Sequence, residues 1–305
     1  MKVGILEFRD NEFIRSVIAG LAGVETEFIR VGQLAHPAPS PFRLVVDRVS
    51  FCDPYLRQLM RYWSIGGTYV LNNPFFTLVY DKLSELLFYD RLAIPHPRTV
   101  VLPRVNRGED LREMVAEPDW KAVGEQVGFP CVLKPADGYA WQDVFKVEDA
   151  AALRSLYESL KETRTLVVQE LVSYVAYFRV FCVASSDALL VKWNPLPFDM
   201  GEYSIPAASE LRGIQEAIQE KTTALNSALG LDFNAVEWCV TADGIPMVID
   251  SFNDVPDVRR EKLPAACFDW VVEKFCARIR HMLDSGARNT VGRVLDDLDP
   301  GPLPR

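Results

Sequence analysis

The sequence is poor in histidine, in clustered positive charge and in long apolar runs. Its three histidines, His36, His96 and His281, give little support to a zinc site or to a Ser/His/Asp triad. The net charge of −9 and the lack of a basic block argue against a nucleic-acid-binding surface. No apolar segment approaches about 20 residues, the length that spans a bilayer, so we expect no membrane partner.

Cysteine is present, but not in the patterns that bind metals or form disulfide frameworks. The six cysteines include no CxxC pair, and most lie in apolar runs, which is typical of reduced, buried thiols in a cytosolic protein. The first residues, MKVGILEF, read as a strand and lack the long apolar core of an export signal. We therefore expect a cytoplasmic protein.

The first 75 residues alternate between two kinds of pattern. Strand-like runs are followed by amphipathic helix-like segments, which predicts a small, mainly parallel, Rossmann-like sheet. The strands are predicted at 2–8, 25–31, 42–49 and 68–72, and the helices at 11–21 and 53–65. A GxGxxG fingerprint is absent, which argues against a dinucleotide-binding domain. At 305 residues, the whole chain is long enough for two or three such compact units.

The most informative stretch is NAVEWCVTADGIPMVIDSFND, residues 234–254. Two strand-like runs flank Asp243-Gly244, which predicts a hairpin with a two-residue turn. Counting back from that turn places Glu237 directly opposite Asp250. Opposed carboxylates repel each other, so the pattern predicts a cation between them, and Mg²⁺ is the obvious candidate. Asn253 would add a neutral oxygen ligand, and a one-residue slip of the register would undo the arrangement.

Four cationic side chains are candidates for binding an anion, and the ammonium of Lys134 can act as a point charge on phosphate. Lys82 is on a predicted helix at 74–92, and Lys134 ends the apolar strand VLK. Arg179 and Lys192 are set singly into consecutive strands, which predicts one polar face of a sheet. Three of them have a structural alternative. Lys82 would be a solvated helix lysine, Lys134 a strand-end lysine that extends to water, and Arg179 would form a structural salt bridge with a carboxylate.

The remaining segments complete the expected architecture. Residues 137–141 read as the tip of a flap-like hairpin, and 208–229 as one long helix closed by Gly230. A further helix is predicted at 264–283. We expect an acceptor substrate to meet the N-terminal domain and the segments 199–206 and 254–260, where Arg259 and Arg260 either hold a carboxylate or lie on the surface.

These pieces, in their order along the chain, resemble the ATP-grasp superfamily, and in particular its glutathione-synthetase-like, glutamate-adding carboxylate–amine ligase branch. The resemblance runs from Asn72 to Asp257. Its motifs are NNP, DKLSELL, LAIPHPRT, GFPCVLKPADG, VVQELV, YFRVF, LLVKWNP, LGLDFNAVEW and PMVIDSFND. It implies an α/β (α+β) fold with an N-terminal domain at 1–75, a central subdomain with the flap at 76–169, a C-terminal subdomain with the metal site at 170–285, and a flexible tail at 286–305.

The resemblance also implies a site for two cofactors, ATP and Mg²⁺. By this likeness, Lys82 and Lys134 contact the ATP phosphates, and Glu170 with the backbone of Leu171 and Val172 contacts adenine. Arg179 and Lys192 face the γ-phosphate and an acyl-phosphate. The implied magnesium ligands are Glu237, Asp250 and Asn253. The implied activity is an ATP- and Mg²⁺-dependent carboxylate–amine ligase that acts through an acyl-phosphate on a small carboxylate or amino acid.

Three departures from the family pattern bear on that expectation. Tyr139-Ala140 stand in a flap that is usually richer in glycine. Two residues separate Asp250 from Asn253 where the family's Glu-x-Asn pair has one between them, and a bulge at 251–252 would restore the geometry. Glu237 stands where Asp is common.

The alternatives to a ligase are a phosphotransferase acting on a non-carboxylate acceptor and a catalytically silent nucleotide-binding regulatory protein. As partners we expect a small-molecule carboxylate and an amine. A homo-oligomer is also possible.

Overall fold

A parallel sheet opens the chain. The computed structural model describes residues 1–8, 11–76, 82–105, 115–137, 142–195 and 201–289. The first sheet contains β1 (Lys2–Leu6), β2 (Glu25–Phe28), β3 (Leu44–Asp47) and β4 (Tyr69–Leu71), with α1 (Glu12–Gly20) and α2 (Pro54–Ile65) between strands. All its neighbouring strands are parallel, in the order β2-β1-β3-β4, which confirms the prediction. Asn11 and Asp53 cap the two helices with their side chains.

An antiparallel sheet forms the middle of the molecule. After α3 (Lys82–Arg91), its elements are β5 (Thr99–Leu102), α4 (Trp120–Val127), β6 (Cys131–Pro135), β7 (Phe145–Val147), α5 (Ala150–Leu160) and β8 (Leu166–Glu170), with strand order β5-β8-β6-β7. Strands β6 and β7 form the predicted hairpin. Its tip, residues 138–141 with Tyr139 and Ala140, lies outside the described residues.

A second antiparallel sheet of five strands follows. Its elements are β9 (Ala176–Val183), β10 (Asp187–Asn194), β11 (Glu202–Ser204), α6 (Ala208–Leu211), α7 (Gln215–Ala228), β12 (Phe233–Val240), β13 (Pro246–Asp250) and α8 (Ala265–Ser285), with strand order β11-β10-β9-β12-β13. The single helix predicted at 208–229 is wrong, because Gly213 at a φ of +79° divides it into α6 and α7. None of the helices in the described ranges is long and apolar enough to cross a bilayer.

The parallel sheet and the five-stranded sheet share one hydrophobic core. Phe13 of α1 packs against Phe233 of β12 and Phe275 of α8, with ring centroids 6.2 and 5.5 Å apart. Burying each such ring stabilises the fold by about 1.5–3 kcal/mol. The four-stranded middle sheet has a separate core beneath α4 and α5, which includes Leu133, Leu153 and Leu166. The two antiparallel sheets therefore have separate cores, and the region between them is called the cleft.

The start of the predicted flexible tail is held by the parallel sheet. Asn289 donates to the carbonyl of Val70 (2.9 Å) and accepts from its N–H (2.7 Å). Arg43 donates to the carbonyl of Ala287 at 3.3 Å. Residues 286–289 thus form hydrogen bonds with the first sheet, which corrects the prediction for them, while 290–305 lie outside the described residues.

Candidate active site

The hairpin of β12 and β13 brings two carboxylates together. Glu237 pairs directly with Asp250 in the antiparallel register, which confirms the prediction. The turn, however, is not the predicted two-residue turn. The N–H of Thr241 donates to the carbonyl of Ile245 (3.1 Å), and its own carbonyl accepts from Gly244 (2.9 Å), so the loop has three residues. Gly244 adopts a φ of +77°, which favours glycine.

A β-bulge in β13 compensates for the longer turn. Trp238 pairs with Val248, so the register near the turn is shifted by one residue from the predicted one. The next paired residues are Glu237 and Asp250, which leaves Ile249 as an extra residue on its strand. Without the bulge, Asp250 would lie on the opposite face from Glu237. The longer turn and the bulge together therefore restore the predicted pair.

Each of these carboxylates has a cation of its own. Arg179 on β9 donates through Nη2 to Glu237 Oε1 at 2.7 Å, and the Tyr177 hydroxyl donates to Glu237 Oε2 at 2.8 Å. Lys82 donates to Asp250 Oδ1 at 2.6 Å. The expected repulsion is thus relieved by protein side chains, which corrects the premise that a metal ion is needed for that purpose. The structural ion pair considered for Arg179 is present.

The two carboxylates differ in pKa. Burial raises the pKa of Glu237, and the Arg179 guanidinium offsets this only in part. Burial acts in the same direction on Asp250, but Lys82 and Lys134 outweigh it and hold the pKa of Asp250 below its usual value. Asp250 is also 36% exposed. It is therefore the more readily ionised and the more accessible of the two.

A third carboxylate, Glu85, joins the cluster from helix α3. It is buried, and its Oε1 lies 3.0 Å from Nζ of Lys82, which is itself only 10% exposed rather than solvated. The Tyr89 hydroxyl lies 2.7 Å from Glu85 Oε2 and 2.6 Å from Ser251 Oγ. Burial raises the pKa of Glu85 to about 7. Sequence reasoning missed this residue, although the spacing of Lys82, Glu85 and Tyr89 places them on one helix face.

Lys134 reaches the cluster from the middle sheet. Side chains alternate along β6, so Cys131 and Leu133 enter the core while Lys134 lies on the other face. Its Nζ donates to Gln169 Oε1 at 3.1 Å. Burial lowers the pKa of Lys134, and the nearby Asp250 offsets this only in part. The cluster therefore extends across the cleft between the two antiparallel sheets.

Lys192 does not join the cluster. It pairs with Phe178 in the register of β9 and β10, whereas Val191 pairs with Arg179. Lys192 and Arg179 therefore lie on opposite faces of the sheet. The Lys192 ammonium pairs with Glu210 of α6, and its side chain is 42% exposed. The prediction of one face lined by both cations is wrong.

The connection between the two antiparallel sheets contains the residues that the sequence predicts to contact adenine. The Glu170 side chain lies on the core face of its sheet, opposite Cys131, and accepts from Arg98 Nε at 2.9 Å, so it does not enter the cleft. The backbone beyond it is differently placed. Leu171 and Val172 link β8 to β9, and within the described ranges their N–H and C=O groups have no hydrogen-bond partner. These peptide groups are therefore available for hydrogen bonding.

Asn253 continues the pairing of β13 with β12 beyond Asp250. Its N–H donates to Asn234 Oδ1 at 2.9 Å, and its carbonyl accepts from Ala235 at 3.0 Å. The bulge that the sequence suggests at 251–252 is at Ile249 instead. The backbone of Asn253 is thus fixed beside the strand that carries Glu237.

The surroundings of Arg179 leave one donor unused. Its Nη1 donates to the Tyr203 hydroxyl at 2.6 Å, and the guanidinium lies 4.2 Å from the ring centroid of Trp193. Nε of Arg179 is buried and has no partner in the part of the chain that the structure describes. An unpaired buried donor is costly, so this atom favours an incoming acceptor.

The two arginines considered for a substrate carboxylate form ion pairs near the surface. Arg259 donates to Asp257 at 2.8 Å, and Arg260 contacts Glu12 at 2.7 Å and Asp269 at 2.8 Å. These contacts favour the surface alternative for both arginines.

No model of a known protein family and no curated protein sequence matches the chain. Solved structures do. A RimK-domain ATP-grasp protein from Sphaerobacter thermophilus is 23% identical, with a TM-score of 0.63 over 92% of this chain and 100% of that one. The macrocyclase MdnC from Microcystis aeruginosa, bound with the precursor peptide MdnA, is 15% identical, with a TM-score of 0.66 over 92% and 100%.

A third solved structure with the same likeness is that of a ligase. D-alanine–D-alanine ligase from Bacillus anthracis, complexed with ATP, is 18% identical, with a TM-score of 0.65 over 93% of this chain and 98% of that one. The chain has a parallel sheet followed by two antiparallel α+β halves, and its likeness to these structures is a likeness of fold. The protein has the ATP-grasp fold, as the sequence motifs predict.

Proposed function

We propose that the protein is an ATP- and Mg²⁺-dependent carboxylate–amine ligase. One observation supports this most strongly: Lys82, Lys134 and Arg179 meet Glu237 and Asp250 in one cleft between two antiparallel sheets. Such a set of alternating charges, on strands and at the start of α3, suits a highly charged ligand whose phosphates bind the cations.

The cations are placed to bind phosphate. Lys134 is the best candidate for direct contact, because its partner in the cleft is the neutral Gln169 rather than a carboxylate. The unpaired Nε of Arg179 offers a buried donor for a further phosphate oxygen. Lys82 would give up its hydrogen bond to Asp250 and bind a phosphate oxygen instead. The unpaired peptide groups of Leu171 and Val172 would hold the adenine edge, in place of the Glu170 side chain.

The donor set also fits magnesium. The described residues contain no group of three or more His, Cys, Asp or Glu side chains that could hold a metal ion. Glu237 and Asp250 would therefore supply two carboxylates and Asn253 a neutral oxygen, and phosphate oxygens and water would complete the shell, which is the usual arrangement for Mg²⁺. When bound, the ion would neutralise phosphate charge. Asp250, exposed and readily ionised, is the stronger ligand candidate.

The reaction would proceed in two displacements. A substrate carboxylate oxygen attacks the γ-phosphorus of ATP, the bond to the β-phosphate oxygen breaks, and ADP leaves. The amine nitrogen of the second substrate then attacks the acyl carbon of the acyl-phosphate, phosphate leaves with the C–O electron pair, and the nitrogen loses a proton. The residues of the cleft contribute by orienting the groups and neutralising charge, which supplies most of the rate in such reactions.

The test is ADP release from the purified protein with ATP, Mg²⁺ and pools of amino acids, amines and small carboxylates. We expect ADP release that requires Mg²⁺ and depends on one pool. Lys134→Ala should weaken ATP-analogue binding by roughly 10- to 100-fold, the loss of one charge-assisted contact, as measured by calorimetry. Tight ATP binding with no ADP from any pool would contradict the ligase and favour a catalytically silent nucleotide-binding protein.

A further inference from the structure

Lys82, the first residue of α3, is held by two carboxylates at once. Its Nζ donates to Asp250 Oδ1 at 2.6 Å and lies 3.0 Å from Glu85 Oε1. Asp250 is 36% exposed and is a candidate metal ligand, whereas Glu85 is 3% exposed. The two partners of Lys82 therefore differ, because one carboxylate is open to an incoming cation and the other is closed to solvent.

Glu85 is itself held in place through its other oxygen. The Tyr89 hydroxyl, about one helical turn further along α3, donates to Glu85 Oε2 at 2.7 Å. The same hydroxyl lies 2.6 Å from Oγ of Ser251, which is fully buried and directly follows Asp250 in the chain. The side chains of Glu85 and Tyr89 thus connect α3 to the end of β13 independently of the contact between Lys82 and Asp250.

Nucleotide binding, as proposed above, separates Lys82 from Asp250. The carboxylate would turn to the magnesium ion, and the ammonium would bind a phosphate oxygen. A lysine carries its ammonium on a flexible four-carbon stem, so an ammonium that loses its partner also loses its position. A buried charge without a counter-charge is costly as well. Glu85 can prevent both losses, because its buried carboxylate lies beside Lys82 on a different element from Asp250.

We propose that Glu85 is a positioning residue for nucleotide binding: it holds the Lys82 ammonium at the cleft while Asp250 exchanges its lysine for the metal ion. An ammonium has three N–H donors, so a contact with Glu85 leaves two for phosphate oxygens. Glu85 touches neither the nucleotide nor the metal ion in this assignment and acts through Lys82. The inference rests on the proposed function for the identity of both ligands.

The first experiment measures the affinity for a non-hydrolysable ATP analogue by calorimetry at pH 8. Burial raises the pKa of Glu85 to about 7, so its carboxylate is ionised at this pH. With Mg²⁺, Glu85→Gln should weaken binding by roughly tenfold or more, because Lys82 loses its charged anchor. Without Mg²⁺, Asp250 keeps Lys82, and the loss should be less than about threefold. Wild-type affinity of folded Glu85→Gln protein, or an equal loss with and without Mg²⁺, would overturn the proposal.

Two further variants make this comparison specific. Asp90→Asn is the matched control, since it removes a more exposed carboxylate of the same helix, whose partner is His96 at 3.3 Å, and it should bind as the wild type does. Tyr89→Phe removes the hydroxyl that holds Glu85 and should weaken Mg²⁺-dependent binding by roughly three- to tenfold. If Glu85→Gln does not fold, Tyr89→Phe decides, and wild-type affinity of this variant would contradict the anchor.

A double-mutant cycle shows whether Glu85 acts through Lys82. In a Lys82→Met background, Glu85→Gln should change the affinity for the analogue by less than about twofold, because the ammonium that Glu85 holds is gone. A loss in that background as large as in the wild-type background would show that Glu85 acts on the fold and not on Lys82, and would overturn the proposal.

These measurements separate the proposal from the proposed function. A Mg²⁺-dependent loss of analogue binding in Glu85→Gln, without ADP release from any pool, would refute the ligase and keep the positioning role. ADP release by the wild type, together with wild-type analogue affinity of Glu85→Gln, would refute the positioning role and keep the ligase.

Discussion

Two networks of opposite charges in this molecule hold an aspartate in different ways. Asp232, at the start of β12, is 1% exposed and accepts from Arg278 Nε at 2.8 Å and from the Tyr69 hydroxyl at 2.8 and 2.9 Å. Asp250, at the end of β13, is 36% exposed and accepts from Lys82 and, at 3.3 Å, from the N–H of Phe252. The first network is closed to solvent and the second is open.

The difference shows which buried charges serve the fold and which are available to a ligand. Arg278 and Tyr69 come from α8 and β4, so the Asp232 network joins the parallel sheet to the five-stranded sheet through rigid elements. Burial raises the pKa of Asp232 despite these donors, whereas the lysines keep the pKa of Asp250 low. A carboxylate surrounded by fixed donors has no capacity for another cation. An open carboxylate paired with lysine can exchange its partner.

Breaking the closed network should have the largest effect on stability. Arg278→Met leaves the buried Asp232 carboxylate with only the Tyr69 hydroxyl, and loss of one partner of a buried pair costs about 3–5 kcal/mol. The measurement is urea unfolding at neutral pH. Arg280→Met, two residues along the same helix, removes exposed bonds to backbone carbonyls and should cost less than about 1 kcal/mol. Equal unfolding midpoints for the two variants would contradict the structural role of Arg278.

Breaking the open network should affect activity instead of stability. Asp250→Asn removes the exposed carboxylate, and we expect Mg²⁺-dependent ADP release to fall by at least about 100-fold, the usual cost of losing one electrostatic contact in an active site. Stability should change by less than about 1 kcal/mol. Asp243→Asn in the hairpin turn is the matched control and should retain activity. Full activity of Asp250→Asn would remove this residue from the metal site.

Glu85 sharpens the comparison, because it is closed to solvent like Asp232 but belongs to the cleft. Its pKa is about 7 in the folded protein and 4.5 ordinarily, so between these values the folded state holds a proton that the unfolded state releases. Stability contributed by this proton is present below about pH 4.5 and is lost as the pH rises through about 7. Between pH 5 and pH 8 the loss is about 2 kcal/mol.

The corresponding test compares Glu85→Gln with the wild type in urea unfolding at pH 5 and pH 8. The variant should gain about 2 kcal/mol relative to the wild type on going from pH 5 to pH 8, because glutamine does not ionise. Glu125→Gln, on the exposed face of α4, is the control and should show no such gain. A constant difference between Glu85→Gln and wild type at both pH values would show that Glu85 is not the group responsible.

Sequence reasoning found the open network more readily than the closed one. Glu237 and Asp250 are close along the chain, so turn position and alternation were enough to pair them. The route to that pair was wrong in two places, since a three-residue loop and the bulge at Ile249 cancel each other. The alternation of apolar residues reveals neither the loop length nor the bulge, because each adds one residue without changing the kind of residue found in the strand.

The closed network had no comparable signal. Asp232, Tyr69 and Arg278 are separated by 163 and 46 positions, and their meeting depends on how α8 packs between two sheets. Glu85 was missed for a related reason: its helical spacing from Lys82 is readable, but the burial of that face is not. The alternation of strands and helices did predict the parallel sheet, because burial of such strands follows directly from their apolar runs.

The smallest effect is expected where the sequence predicted a large one. Lys192 lies on the face opposite to Arg179 and pairs with Glu210, so Lys192→Met should lower Mg²⁺-dependent ADP release by less than about threefold and stability by less than about 1 kcal/mol. Lys82→Met, which removes the cation beside Asp250, should lower it by at least about 100-fold in the same assay. If the two variants lost activity equally, the side of the sheet on which a cation lies would not decide its role.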